Sequence, residues 1–368
     1  MKVFLFSKPF VIVATILFFQ FCHTANSQFL ESKIDSLLES KYRSTAPGAA
    51  FLVAKNGIPI YRKAFGKANL ELNVPMRPEN VFEIGSMTKQ FTAIAILVLV
   101  EKGMLDLDDE ILKFIPDYPS HGKKITIHHL LTHTSGIKNF TNMKALRDIS
   151  KKDLTPLELI DFFKNEPMDF NPGEKFKYTN SGYFILGYII ESVSGITYKD
   201  YIEKNIFQKI GMESSLYASH SKVIKNRASG YHYRDDYINK MYISLTLPYA
   251  SGSIMSTVDD LLKWQEALNQ NVLVSQNTIN KAYTNYTLND GEYIDYGYGW
   301  HLKKINGVLS MEHGGSIFGF KSMGVYIPSE DVYVIGLSNC DCNSPTKITK
   351  EIAALVINEI YLNNGNKN

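Results

Sequence analysis

Ser86 and Lys89 stand three apart in the run Glu83-Ile84-Gly85-Ser86-Met87-Thr88-Lys89, a spacing that puts a hydroxyl and an amine on one face of a helix, a turn apart. The residues that follow, Phe91 to Val100, are apolar apart from one threonine, so the helix they form is expected in the interior. A lysine in the first turn of such a helix is poorly placed for stability. The positive end of the helix dipole opposes its charge and burial penalises it, so its pKa should fall below the free value of about 10.4. A neutral amine beside a serine hydroxyl is a general base beside a nucleophile, and the same dipole favours the negative charge that grows when the serine oxygen attacks a carbonyl. The plainer alternative is a serine that only caps the helix and a lysine that reaches solvent.

Two further stretches carry candidate chemistry. Lys177-Tyr178-Thr179-Asn180-Ser181-Gly182-Tyr183 enters an apolar helix after the turn Asn171-Pro172-Gly173. Tyr178 is expected to have a phenol lowered from about 10 by nearby cations, Lys89 among them, so that it can exchange a proton with Ser86; alternatively Tyr178 is packed and Asn180 or Ser181 is a cap. Glu312-His313-Gly314-Gly315-Ser316 ends a strand. The paired glycines let a ligand approach a sheet edge, and a following backbone N–H can serve as an oxyanion donor; alternatively they form a plain turn beside a solvated histidine.

These residues need a scaffold, and hydrophobic patterning outlines one. A short helix is expected around Ile34 to Glu39, then strands Ala49 to Ala54 and Ile58 to Ala64 joined through Lys55-Asn56-Gly57, a hairpin signal. The Ser86 helix stops at Lys102-Gly103. Helical segments follow at Ile125 to Leu131, Pro156 to Lys164, Tyr183 to Val193 and Tyr198 to Ile206, with another capped by Thr257 and Asp260. Tyr298 to Leu302, Val308 to His313, Lys321 to Ile327 and Val332 to Leu337 read as an antiparallel meander, and Thr346 to Tyr361 as a closing helix. The expected fold is α+β: one antiparallel sheet drawn from about 28–104 and 290–368, flanked by helices, with a mostly helical lobe over about 105–289. Catalytic groups would converge at the seam between the lobes.

Composition narrows the function. Lys2 and Lys8, an apolar run from Phe10 to Phe19, and Ala25 and Ser27 before Gln28 are the pattern of a secretory signal peptide over residues 1–27. The expectation is therefore an exported protein, periplasmic or secreted, without a stable membrane anchor. Cys22 lacks the small residues before it that lipid attachment requires. Removing 1–27 takes away two lysines and no acids, leaving 37 basic and 37 acidic side chains of the 39 and 37 present. A nearly neutral protein without a basic arm argues against nucleic acid and for a small-molecule or peptide substrate. The two remaining cysteines, Cys340 and Cys342, are expected as free or loosely paired thiols, since a bridge across one residue is strained. His128, His129 and His133 invite a zinc reading, but no glutamate follows His129 and Thr134-Ser135-Gly136 breaks the helix, so no metal or other cofactor is expected. Tyr296-Gly297-Tyr298-Gly299-Trp300 can either wall a cleft or simply pack.

Taken together and in this order, Ser86-x-x-Lys89, Tyr178-x-Asn180 and His313-x-Gly315 resemble the motifs of the serine β-lactamase and penicillin-binding family. The likeness is nearest its class C β-lactamase and D-alanyl-D-alanine carboxypeptidase branch. Leu130-Leu131-Thr132-His133-Thr134-Ser135-Gly136 and Tyr249-Ala250-Ser251-Gly252-Ser253 with Ser256-Thr257 extend it over most of the chain. The resemblance implies a metal-free acyl-enzyme mechanism. Ser86 would be the nucleophile and Lys89 and Tyr178 would share the general-base role. Asn180, His313, Gly315 and Ser316 would contact substrate, and the backbone N–H groups of Ser86 and Ser316 would form the oxyanion hole. Gly314 stands where members usually carry threonine, whose hydroxyl helps to hold a substrate carboxylate, and His313 stands in place of lysine, making local charge dependent on pH near ~6.5. Amide, ester or D-amino-acid peptide substrates, peptidoglycan-derived fragments included, are therefore expected alongside penicillins. A non-catalytic module binding penicillin or cell-wall fragments in the same cleft is the alternative.

Overall fold

The computed structural model describes residues 28–365, so the expected signal peptide lies outside the described residues. A first helix, α1, runs over 28–41, longer than the short segment expected. Its Ile34 and Leu38 are fully buried against the sheet. Strands β1 (Ala49–Lys55) and β2 (Ile58–Phe65) follow. Asn56 and Gly57, with φ of 50° and 72°, form the turn between them, the two left-handed residues that a tight hairpin demands.

The main sheet also takes β3 (His301–Ile305), β4 (Val308–Ile317), β5 (Phe320–Ile327) and β6 (Val332–Ser338). Its order is β3-β4-β5-β6-β1-β2, antiparallel throughout. The N-terminal hairpin is thus added to the C-terminal meander through β1 and β6, from Ala49 opposite Ser338 to Lys55 opposite Val332. Because β1 alternates sides, Ala49, Phe51 and Val53 face α1 and the C-terminal helix α8 (Thr346–Gly365), while Ala50, Leu52 and Ala54 face the helical part. Both faces are covered, which is why β1 reads as a continuous apolar run.

Helix α2 (Thr88–Glu101) lies in the middle, with every residue from Thr88 to Leu99 buried. Phe91 stacks on Trp264 at 4.1 Å between ring centres. Against it pack α5 (Asn180–Ser194), α6 (Tyr198–Ile202) and, through Trp264, α7 (Val258–Asn269), while α3 (Ile127–Leu131) and α4 (Pro156–Phe163) pack on α5. Thr257 caps α7 by accepting from Asp260 N–H, as its spacing predicts.

Three differences from the sequence reading bear on the site. The strand expected at Tyr298 starts instead at His301, because Gly299 takes φ +89° where α2 passes close, 3.0 Å from the place a Cβ would occupy to Gln90 Cα. The strand expected to end at His313 continues to Ile317, its glycines paired with Met323 and Ser322 of β5. Its other neighbour stops short: β3 begins at His301 opposite Glu312, so residues 313–317 form a free strand edge. Finally, Cys340 and Cys342, expected as free or loosely paired thiols, are joined as a disulfide. The loop after β6 brings their side chains together, which a reading of spacing alone does not foresee.

Candidate active site

Ser86 sits in a short 3-10 turn, Gly85–Met87, that leads into α2. The turn packs against β4 and β5 and follows directly on Phe82–Glu83, a strand of a small three-stranded sheet completed by Ile254–Ser256 and Leu216–Tyr217. Gly85 has φ +53°, and a Cβ there would lie 2.8 Å from Ser316 N. Only glycine combines that dihedral with that approach. On the opposite strand a Cβ on Gly315 would overlap the Ile84 carbonyl. The two glycines let the turn and the free edge of β4 lie backbone to backbone, and Ser86 and Ser316 both line the same cleft.

Lys89 is fully buried. Its Nζ lies 3.2 Å from Ser86 Oγ, donates to Asn180 Oδ1 at 2.8 Å and donates to the Ser251 carbonyl at 2.9 Å. Among the described residues no carboxylate forms an ion pair with it. Burial holds its pKa well below the usual lysine range. With two protons directed at Asn180 and Ser251, the third direction of the nitrogen is left for the Ser86 hydroxyl.

Asn180 reaches this position because Thr179, not Asn180 or Ser181, caps α5, its hydroxyl accepting from Ser181 N–H. The Asn180 carboxamide is therefore free to accept from Lys89 and to donate to Thr141 Oγ1 at 3.2 Å, while its main-chain N–H donates to Asn139.

Tyr178 is brought beside the pair, its ring centre 4.8 Å from Lys89 Nζ. Its hydroxyl is buried and makes no hydrogen bond within 3.5 Å. Burial raises its pKa strongly, and the neighbouring Ser86 lowers it only in part. This reverses the expected direction: removal from water outweighs any nearby cation, and the phenol keeps its proton.

His313 is also corrected in environment. It is 2% exposed and does not line the cleft. Its Nδ1–H donates to the Gly314 carbonyl at 2.6 Å, which leaves Nε2 to accept from the Tyr296 hydroxyl at 3.3 Å. Tyr296 in turn lies 3.3 Å from Nε2 of His133, whose Nδ1 accepts from Thr179 N–H. The His133 imidazole must be neutral to accept from Thr179, and a neutral His313 lets Tyr296 donate to its Nε2. Burial first, and then the neighbouring His301 and Lys89, hold the His313 pKa well below the histidine range. A pH-dependent positive charge near 6.5 does not arise here.

The other histidines are similarly occupied. His129 Nδ1 accepts from Thr126 N–H in the cap of α3, and His128 Nδ1 lies 2.8 Å from the Tyr298 hydroxyl. Among the described residues no three His, Cys, Asp or Glu side chains group as metal ligands. Tyr296, Tyr298 and Trp300 are buried and pack, rather than walling the cleft.

The cleft in front of Ser86 encloses about 350 Å³. Asn180, Ser251 and Ser316 give it polar points, and Phe140, Leu146, Ile243, Leu247, Ile317 and Phe318 supply apolar walls. The Ser251 carbonyl, Thr141, these apolar residues and Asp341 were not singled out from sequence. They come from segments far apart in the chain; the local signals were the stretch Tyr249 to Ser253, which holds Ser251, and Asp341 lying between two cysteines.

Comparison with known proteins bears on this arrangement. Residues 30–358 match the family described as Beta-lactamase. A penicillin-binding protein of Bacillus subtilis is 32% identical over 305 residues, covering 78% of this chain and 67% of that protein. The chain spans from 57% to 67% of the length of the first curated relatives. An octameric penicillin-binding protein homologue from Pyrococcus abyssi superposes with a TM-score of 0.76 at 33% identity, over 90% of this chain and 77% of that one. The D-amino acid amidase of Ochrobactrum anthropi SV3, complexed with L-phenylalanine amide, superposes with a TM-score of 0.79 at 25% identity, over 91% and 99%.

Proposed function

The chain belongs to the Beta-lactamase family, and on that premise we propose that it is an exported serine hydrolase acting through an acyl-enzyme on an amide, ester or D-amino-acid peptide. One observation carries the reading: the Ser86 hydroxyl lies 3.2 Å from a fully buried lysine amine whose other two directions are taken.

In the proposed reaction Ser86 Oγ attacks the substrate carbonyl carbon while its proton passes to Lys89 Nζ. The carbonyl oxygen becomes an oxyanion and accepts from the backbone N–H groups of Ser86 and Ser316 at the free edge of β4. Tyr178, protonated because it is buried, is the proton donor to the departing amine or alkoxide. The resulting phenolate is balanced by the Lys89 ammonium beside it. Lys89 then returns its proton to the phenolate, restoring both groups. A water that gives a proton to Lys89 attacks the acyl carbon, and Tyr178 protonates the departing Ser86 Oγ. The same return of a proton from Lys89 to Tyr178 leaves the acid and free Ser86. Asn180 orients Lys89 and offers its amide to the substrate. His313 supports this machinery through Tyr296 and His133 and does not itself bind substrate.

Export rests on the residue pattern over 1–27 and would place the enzyme in a periplasm or outside the cell. A fluorophosphonate probe should label the wild-type protein and not Ser86→Ala, and equal labelling of both would overturn the assignment. Mass spectrometry of the protein from its native envelope or medium should find the N-terminus near Gln28. An uncleaved chain retained in the cytoplasm would remove export from the proposal.

A further inference from the structure

Among the described residues that line the cleft, Asp341 is the one with a charged side chain. Its position is tightly determined. The residues on either side of it, Cys340 and Cys342, are joined to each other, and its main-chain N–H donates to the Tyr231 carbonyl at 3.2 Å. One carboxylate oxygen, Oδ2, accepts from Nδ1 of His232 at 2.5 Å. That imidazole accepts the Met241 N–H at Nε2, at 3.0 Å, so it is the neutral tautomer and does not cancel the carboxylate charge. The second oxygen, Oδ1, has no donor among the described residues. The Asp341 side chain is 29% exposed and lines the cleft.

The cations in the vicinity are engaged or outside the cleft. Lys321 donates to Ser316 Oγ at 2.7 Å from the neighbouring strand. Lys240 pairs with Glu83. Lys144 and Arg147 line a separate surface hollow that shares only Thr141 and Leu146 with the cleft. None forms an ion pair with Asp341. A carboxylate held rigid, partly buried and lacking a cationic partner favours a ligand that brings the cation. It also disfavours a ligand bearing its own carboxylate, consistent with the missing threonine hydroxyl at Gly314.

We propose that Asp341 is a specificity-determining residue that reads a protonated amine on the substrate, selecting amides, esters or peptides that combine a free amine with an apolar side chain. The apolar part is taken by Leu247, Ile243 and Phe318. This rests on Ser86 being the reaction centre of the same cleft.

Binding can be read without turnover. Ser86→Ala protein is titrated by calorimetry with phenylalanine amide, alanyl-phenylalanine amide and Nα-acetyl-lysine amide, which carry the amine at different distances from the amide, and with the fully acetylated form of each. At least one amine should bind roughly tenfold or more tightly than its acetylated counterpart, and Asp341→Asn, which keeps the acceptor for His232, should abolish that preference while leaving the acetylated ligand unchanged. Equal binding within all three pairs, a preference that survives Asp341→Asn, or an equal loss for both members of a pair would overturn the inference. Failure of fluorophosphonate labelling would instead bear on the Ser86 assignment, because the titrations do not depend on reaction at Ser86.

Discussion

The Ile84 carbonyl occupies the space where a side chain on Gly315 would stand. Through this contact the Ser86 turn and the free edge of the sheet share one backbone surface. Ser322, from the next strand, secures it by donating its hydroxyl to the same carbonyl at 2.8 Å.

Gly315→Ala must push the strand away from that carbonyl. Overpacking of this kind costs about 1–3 kcal/mol, and a displaced oxyanion donor can cost about 100-fold in rate. The expected outcome is a lowered melting temperature with a larger proportional loss in fluorophosphonate labelling rate. Labelling at the wild-type rate would show that the Ser316 amide is not needed.

Lys89→Met separates stability from catalysis. Burial lowers the lysine pKa in the folded state, so between that value and about 10.4 the unfolded chain binds more protons and the wild-type protein gains stability as pH rises. The variant lacks this term. It should label at least ~100-fold more slowly yet be as stable as wild type or more so at pH 7, with the difference shrinking toward pH 10. Denaturant melts across that range check the sign.

Tyr178→Phe removes a buried hydroxyl that lies beside Ser86 and makes no hydrogen bond within 3.5 Å among the described residues. The fold should be retained, with little change in melting temperature. Turnover should fall by roughly 100-fold or more, with a smaller penalty on esters whose leaving group needs no proton. An equal penalty for amide and p-nitrophenyl ester would argue against Tyr178 as the proton donor.

Acid should destabilise the protein through its buried imidazoles. Burial lowers His301 and His129 to about 4 and holds His133 and His313 well below the ordinary value. Below about pH 6.5 the unfolded chain takes up protons that the folded chain does not, so stability is full above that pH and is lost progressively toward pH 4. The slope should be shallower in His301→Gln, as measured by urea melts from pH 7 to 4.

A short-chain p-nitrophenyl ester should be turned over faster than a chromogenic cephalosporin, which carries a carboxylate. Gly314 offers no hydroxyl for that group, and His313 is neutral and turned into the interior. The reverse ranking in side-by-side steady-state assays would show that carboxylate recognition is supplied elsewhere.

Much of the framework is legible in the chain because its signals are local. Asn56-Gly57 could form a two-residue hairpin in few other ways, Thr257 and Asp260 mark the start of α7, and the run from Phe91 to Val100, apolar apart from Thr92, pointed to a helix buried on all sides. The spacing of Ser86 and Lys89 already put hydroxyl and amine together. What spacing does not carry is the environment of a group. Tyr178 was expected to be acidified by a cation and is instead kept protonated by burial, and His313 was expected to be a titrating surface charge and is instead the neutral end of a hydrogen-bonded chain through Tyr296.

The sequence by itself therefore determined which residues meet over one or two helical turns and which chemistry they can offer, because rise and turn are properties of the backbone. The lowered pKa of Lys89 was already legible in the apolar run behind it, but only the tertiary structure decided the electrical state of Tyr178 and His313 and what the site residues face. The protonation of Tyr178 and His313 depends on how much water is excluded by segments distant in the chain. The cleft wall depends likewise on loops that place Leu247, Phe318 and Asp341 around Ser86. Desolvation and long-range packing act between elements, and no local pattern encodes them.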